Sequence, residues 1–296
     1  MIKRVGIVAK SGLVAAGDHL IEIGAWLKRR GAEPVFETET GTLAKAGPEW
    51  KTAAKEALPE SADLILVLAG DGTLLGMADR IAQSGRDVPI LGVNFGGLGF
   101  LTEITLPELY PSLASALDGT APIEERLMLR SSVQRASRVL TERLLLNDVV
   151  ITRGPLSRIV DLSVSVGHHF VARFNGDGLI IATPTGSTAY NLSAGGPIVH
   201  PAVDALVMTP IAPHILTNRP VVFPASEEVR VQPLPRDGAY EMYVTFDGQT
   251  GLRLEPDDVV SICRAPHKMR LVRASTRTYF EVLRHKLGWA ERIVHG

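Results

Sequence analysis

A chain of 296 residues, 45% of them hydrophobic, is longer than a single core needs, and two domains are expected of it. Its 31 basic residues against 32 acidic ones exclude the footprint of a general nucleic-acid binder, so a polyanionic ligand must meet a local cluster of charge. No apolar run approaches the roughly 18 residues that cross a bilayer, and the single cysteine, Cys263, excludes an intrachain disulfide. The first residues read as a strand and not as a signal peptide, so a cytoplasmic protein with no membrane partner is expected.

In chain order, Val5 to Ala9 is a short apolar strand and Lys10-Ser11-Gly12 the turn after it. The spacing of Leu20, Ile23 and Leu27 predicts a helix over about 14–30, closed by Gly31. A second strand fits 34–37, a loop 38–48 and a short helix 50–58. The run Leu64-Ile-Leu-Val-Leu68 is a strand covered on both faces, and it empties into Gly70-Asp71-Gly72-Thr73. A helix over 74–83, a strand over 88–93 and an amphipathic helix over 105–117 follow. This alternation predicts a doubly wound, mostly parallel sheet.

Beyond Ile123 the texture becomes β-rich. Strands are expected over 128–134, 139–152, 158–166, 170–182, 229–232, 241–246, 252–254 and 258–263, forming a mainly antiparallel domain. Helical spacing returns from Thr278 to Leu287.

Four stretches exceed what packing requires. Gly70-Asp71-Gly72-Thr73 puts one carboxylate at the carboxyl end of a buried strand, where open α/β sheets bind ligands. Asn94 to Leu101 holds Gly96, Gly97 and Gly99, a loop able to offer backbone N–H groups to phosphate. Asn147-Asp148 sets two polar residues inside an apolar run, which suggests a bulge or a ligand. Asp177-Gly178 leads into Thr183-Pro-Thr-Gly-Ser-Thr-Ala-Tyr190, whose hydroxyls and aromatic ring suit a nucleoside. Capping explains one of the five Ser and Thr hydroxyls between Thr183 and Ser193 and not all of them. The Asp-Gly pairs at 71, 177 and 247 otherwise read as turns.

With these four motifs in this order the chain resembles the bacterial NAD kinase family along nearly its whole length. The resemblance implies ATP-dependent phosphorylation of the adenosine ribose 2′-hydroxyl of NAD, an α/β N-terminal domain over 1–120 with the helix of 276–296 packed back on it, a β-rich NAD-binding domain over 121–275, and a homodimer or homotetramer. It implies Asp71 as the catalytic base and Asp71, Gly72, Asn147, Asp148, Arg158, Arg173, Asp177, Thr188, Ala189, Tyr190, Asn191, Leu192, Ser193 and Gln249 as NAD contacts. Gly70, Thr73, Asn94, Gly96 and Gly97 would hold phosphate, and Mg²⁺ would be carried mainly by ATP, with no dedicated metal site in the protein. Polyphosphate is a further candidate donor. Where the family usually has two glycines before its aspartate, this chain has Ala69-Gly70.

Two alternatives stand beside this reading. The Gly-Asp-Gly theme is shared with kinases of diacylglycerol, sphingosine and sugar phosphates, against which stand the absence of a membrane face and the presence of 183–193. A dinucleotide sensor without turnover is the other, and Asp71 argues against it because a sensor needs no base.

Overall fold

A computed structural model describes residues 2–13, 16–154, 159–215, 217–234, 241–274 and 276–289. The chain divides into two compact units, Met1–Glu125 with Arg270–Gly296, and Arg126–Met269.

In the first unit β1 (Arg4–Ala9), α1 (Gly17–Arg29), β2 (Glu33–Glu37), α2 (Thr38–Leu43), β3 (Lys51–Ala53), α3 (Leu58–Ser61), β4 (Leu64–Leu68), α4 (Asp71–Ser84) and β5 (Ile90–Asn94) alternate as the sequence predicts for a wound sheet. They are followed by β6 (Ile104–Thr105), α5 (Leu109–Leu117) and β7 (Ile123–Arg126). The strand order β3-β2-β1-β4-β5 is parallel throughout. All of β4 is sealed from solvent, since helices cover both faces of such a sheet. Leu20, Ile23 and Leu27 of α1 are fully buried, and Gly31 takes the left-handed conformation (φ 77°) that ends the helix.

Two local expectations are corrected. The segment read as a loop over 38–48 begins with α2, because the Glu37 carboxylate accepts hydrogen bonds from the Glu39 and Thr40 amides and so caps a turn poor in apolar residues. The segment read as a helix over 50–58 starts instead as β3, which adds a third parallel strand beside β2 (Val35 opposite Lys51).

The second unit is an antiparallel sandwich. It contains β8 (Leu129–Arg135), β9 (Arg138–Leu145), β10 (Asp148–Arg153), β11 (Val160–Val166), β12 (His169–Gly176), β13 (Gly178–Ala182), the short α6 (Tyr190–Ser193), β14 (Ala205–Ile211), β15 (Val221–Pro224), β16 (Val229–Pro233), β17 (Met242–Phe246), β18 (Thr250–Leu254) and β19 (Asp258–Arg264). One sheet runs β15-β14-β13-β10-β17-β18, the other β12-β11-β16-β19-β8-β9. Leu129, Val133, Leu162, Val164 and Ile262 of one meet Val149, Ile151, Leu179, Ile181 and Val244 of the other in a common core.

The long strands expected over 139–152 and 170–182 are each two strands lying in different sheets. One breaks at Leu146–Asn147 and the other at Asp177, so the polar residues that interrupt the apolar pattern are where the chain changes layer. Finally β20 (Met269–Val272) joins the first sheet in parallel with β5, and α7 (Tyr279–Leu287) is closed by a Thr278–Glu281 capping box and by Gly288. Among the described residues no helix is long and apolar enough to cross a membrane.

Candidate active site

In the first unit the site grows from the end of β4. Gly70 is the N-cap of α4, and Asp71 is the first helical residue, three positions earlier than hydrophobic spacing alone indicates. Its carboxylate points into the glycine loop. Oδ2 accepts the Phe100 amide at 2.9 Å, while Oδ1 accepts the Leu101 amide at 3.1 Å, the Thr102 amide at 3.0 Å and the Thr102 hydroxyl at 2.9 Å. Asn94, at the end of β5, donates from Nδ2 to the same Thr102 hydroxyl at 3.0 Å and accepts the Gly96 amide at 2.7 Å. Gly99 must be glycine, because a Cβ there would collide with the Asp71 carboxylate and the Thr102 hydroxyl.

Gly70, Gly72 and Gly97 are different. Each has an ordinary φ, and a Cβ at any of them would meet nothing within 4 Å. The space beside the carboxylate is therefore open on both flanks. Thr73 is half-buried in the first turn of α4, where its amide donates to Gly70 O at 3.2 Å.

The second unit holds a knot around Asn147 and Asp148. Asp247, which follows β17, has φ 48°, a left-handed value that Asp tolerates better than most side chains. Its Oδ2 accepts the Leu146 amide at 2.8 Å, and its Oδ1 accepts the Asn147 and Asp148 amides, both at 2.9 Å. The Thr183 amide donates to Asn147 O and the Thr183 hydroxyl to Leu146 O at 2.6 Å. Gly186 passes so close to the Asn147 backbone that a side chain there has no room. The Asn147 side-chain oxygen is buried with no hydrogen-bond partner, an acceptor awaiting a donor.

Asp148 is 4% exposed, and burial first, then the neighbouring Asp247, push its carboxyl up to about 7. A carboxyl that holds its proton more tightly folded than unfolded favours folding below the unfolded value of 3.8 and loses that contribution as pH rises to about 7. The melting temperature of Asp148→Asn is therefore expected to change less across that window than that of the wild type. Equal slopes in calorimetry would remove Asp148 from the account.

The stretch 183–193 is more inward-looking than its composition suggests. The Ser187 hydroxyl donates to Pro184 O at 2.6 Å and accepts the Val199 amide at 3.0 Å, and the Thr188 hydroxyl donates to Thr185 O at 3.2 Å. The Thr185 hydroxyl accepts a bond from buried Arg126 at 3.4 Å. Asn191 is fully buried: its Nδ2 donates to Ser187 O and Pro197 O, and its Oδ1 accepts the Thr209 hydroxyl at 2.6 Å. These groups build the turn. What the turn presents is Tyr190, 45% exposed, and Ser193, with Ala189 and Leu192 half-buried.

The remaining positions are more scattered. Asp177 accepts the Arg153 Nε at 2.7 Å at the crossing from β12 to β13. Arg173 is exposed on β12, an edge strand of the other sheet. Gln249 is exposed in the turn after β17. Arg158 lies outside the described residues. Sequence reasoning passed over Thr102, Arg126, Arg153 and Asp247; only Asp247 carried a signal, as one of three Asp-Gly pairs.

The chain joins a carboxylate–glycine corner at the end of a parallel strand to an antiparallel sandwich, and two family models assign these parts to kinases. Residues 5–121 match the family model of the ATP-NAD kinase N-terminal domain, and residues 146–274 that of the ATP-NAD kinase C-terminal domain. The chain belongs to the NAD kinase family. It is 44% identical over 292 residues to the NAD kinase of Geobacter metallireducens, covering 98% of this chain and 100% of that one. It is 43% identical over 292 residues to that of Solibacter usitatus, covering 99% of each. The fold is similar to an Archaeoglobus fulgidus NAD kinase in complex with ATP, with a TM-score of 0.75 and 25% identity over 95% of this chain and 99% of that one. It is also similar to a yeast NADH kinase complexed with NADH, with a TM-score of 0.86 and 22% identity over 99% and 90%.

Proposed function

We propose that this NAD kinase transfers the γ-phosphate of ATP to the 2′-hydroxyl of the adenosine ribose of NAD, with Asp71 as general base. The observation that carries the reading is the Asp71 carboxylate at the end of β4, with open space at Gly70 and Gly72 on either side of it. As the hydroxyl oxygen bonds to the γ-phosphorus, the bond to the β-phosphate oxygen breaks, ADP departs with that electron pair, and the hydroxyl proton passes to Asp71. Oδ2 is the receiving atom, because it accepts one bond from the loop where Oδ1 accepts three. Gly72 lets the ribose approach, and Gly70, Thr73 and Gly97 border the phosphates. Asn94 and Gly96 act at one remove, by shaping the loop.

On the NAD side, the unpartnered Asn147 oxygen supports a bond from a donor on the adenosine half, and Asp148, protonated up to about pH 7, can both donate to and accept from a sugar hydroxyl. Tyr190 stacks on a base, while Thr188, Ala189, Leu192 and Ser193 line its approach and Asn191 holds the turn. Asp177, Gln249, Arg173 and Arg158 complete the contacts. In this reading residues 1–120 and the C-terminal helix bring the base and phosphate loop, residues 121–275 bind NAD, and the enzyme is a cytoplasmic homodimer or homotetramer.

Among the described residues no group of three or more His, Cys, Asp or Glu side chains is placed to hold a metal ion. In this reading Mg²⁺ would arrive on the phosphates of ATP, where it would neutralise charge.

Purified protein given NAD, ATP and Mg²⁺ is expected to form NADP; a preparation that forms none overturns the reading. Tyr190→Ala is expected to raise the KM for NAD about tenfold, in line with the loss of one base–aromatic stack, and to lower kcat less, since stacking binds ground and transition states alike. An unchanged KM would remove the ring from the site.

A further inference from the structure

The Asp71 carboxylate is only as well placed as the loop that holds it. Three of the four bonds described above come from Leu101 and Thr102, so its direction depends on what fixes the chain at residue 103. A glycine-rich loop is a weak anchor by itself, because glycine leaves the backbone more freedom than any other residue. Glu103 follows Thr102 directly, at the entry to β6. It is 3% exposed, and a carboxylate buried to that degree calls for a cation.

The topology of the first sheet decides which part of the chain supplies one. Strand β20 runs parallel to β5, with Leu271 opposite Ile90, so the chain leaves β20 at the same carboxyl end of the sheet from which the glycine loop leaves β5. Arg273 is the first residue beyond β20, and its Nη1 lies 2.9 Å from the Glu103 Oε2. Its Nε lies 3.4 Å from the Glu124 Oε2 and its amide donates to Pro122 O at 2.9 Å, which ties the same residue to β7 and its approach. Four positions on, Arg277 donates from Nη1 to Glu103 O at 3.3 Å and to both Glu108 carboxylate oxygens at 2.9 Å. From α7, the Lys286 Nζ stands 5.7 Å from the centre of the Phe100 ring. The last stretch of the chain thus meets the loop at Phe100 and at Glu103, on either side of the two residues that bond Oδ1.

We propose that Arg273 and Arg277 are positioning residues for the phosphoryl transfer: through Glu103 they hold the 100–102 amides in the arrangement that aims the Asp71 carboxylate at the acceptor hydroxyl. This role takes Asp71 as the base, as read above. Neither arginine touches a substrate in it, and none need do so, since displacing a reacting group by about 1 Å costs on the order of a hundredfold in rate. Burial gives the Arg273 link its weight. Its side chains are 18% and 3% exposed, whereas the Arg270–Asp87 pair, on the same strand at the opposite end of the sheet, is 32% and 70% exposed and of the kind that contributes little.

The test measures kcat, the KM for NAD and for ATP, the melting temperature and amide hydrogen exchange in Arg273→Ala, Arg273→Lys, Arg277→Ala, Arg270→Ala and the double variant Glu103→Gln/Arg273→Met. Each of Arg273→Ala and Arg277→Ala is expected to lower kcat about tenfold to a hundredfold, with both KM values within about threefold of the wild type. Exchange at Phe100, Leu101 and Thr102 quickens while that in β4 does not. Arg273→Lys recovers part of kcat, and Arg270→Ala keeps all of it. The double variant leaves no buried charge and regains the melting temperature, yet its kcat stays low, which a loss of folding stability alone would not produce. Wild-type kcat or unchanged exchange at 100–102 in either alanine variant overturns the role of that arginine. A double variant that regains kcat along with its melting temperature, or an Arg270→Ala as slow as Arg273→Ala, overturns positioning altogether. If Asp71→Asn turns over normally while Arg273→Ala still loosens 100–102, the base assignment falls and the anchorage of the loop stands.

Discussion

Asp71→Asn is expected to lower kcat by about two to four orders of magnitude, the span of a positioned general base, while the KM for NAD changes little. The same substitution touches the loop. An Asn in this place keeps one acceptor oxygen and turns an NH₂ toward an amide, so either the Phe100 N–H or the three donors on Oδ1 lose their acceptor. Amide exchange at Phe100 to Thr102 is expected to quicken, and stability to fall by about 1–3 kcal/mol, the range for buried donors left unsatisfied. Near-normal turnover would refute the base, and unchanged exchange would refute the hold on the loop.

The second large effect is expected at Asp247. Asp247→Ala strips the acceptor from three consecutive amides, Leu146 to Asp148, and places Ala at φ 48°. Stability should drop by about 3 kcal/mol or more, and the KM for NAD should rise because Asn147 and Asp148 lose their fixed directions. Asp247→Asn, which tolerates the left-handed backbone and retains one acceptor, should fall between the two in melting temperature. If Asp247→Ala melts and binds NAD like the wild type, the clasp has no energetic role.

These effects show what the sequence makes legible. The buried run of β4, the stripe of α1 and the turn to α4 were readable because each is a local pattern with one physical meaning. The loop assigned to 38–48 hid a helix because its cap is a Glu side chain and its own residues carry no apolar stripe. Strands 139–152 and 170–182 were read as continuous since β-propensity does not report a change of sheet, although Asn147 and Asp177 marked both places. In the site, Asp71 was legible as a carboxylate at a strand end. Its capture of the 100–102 amides was not, because the spacing between residues 71 and 100 says nothing of which way an amide points. The hydroxyls of 183–188 were read as ligand groups because composition cannot separate hydroxyls that bind from hydroxyls that brace.

The reach of Asp247 also sets an order of assembly. Its three acceptor bonds close on amides 99 to 101 residues earlier in the chain. On a ribosome, Asn147 and Asp148 emerge well before their clasp has been synthesised, and a closure of that length is slow to form. The corner can close only once residue 247 has been made, and β17, which leads into it, pairs with β10 in the finished structure. A nascent chain that ends short of residue 247 can fold its parallel sheet up to β5 while the Asn147–Asp148 corner is still unmade.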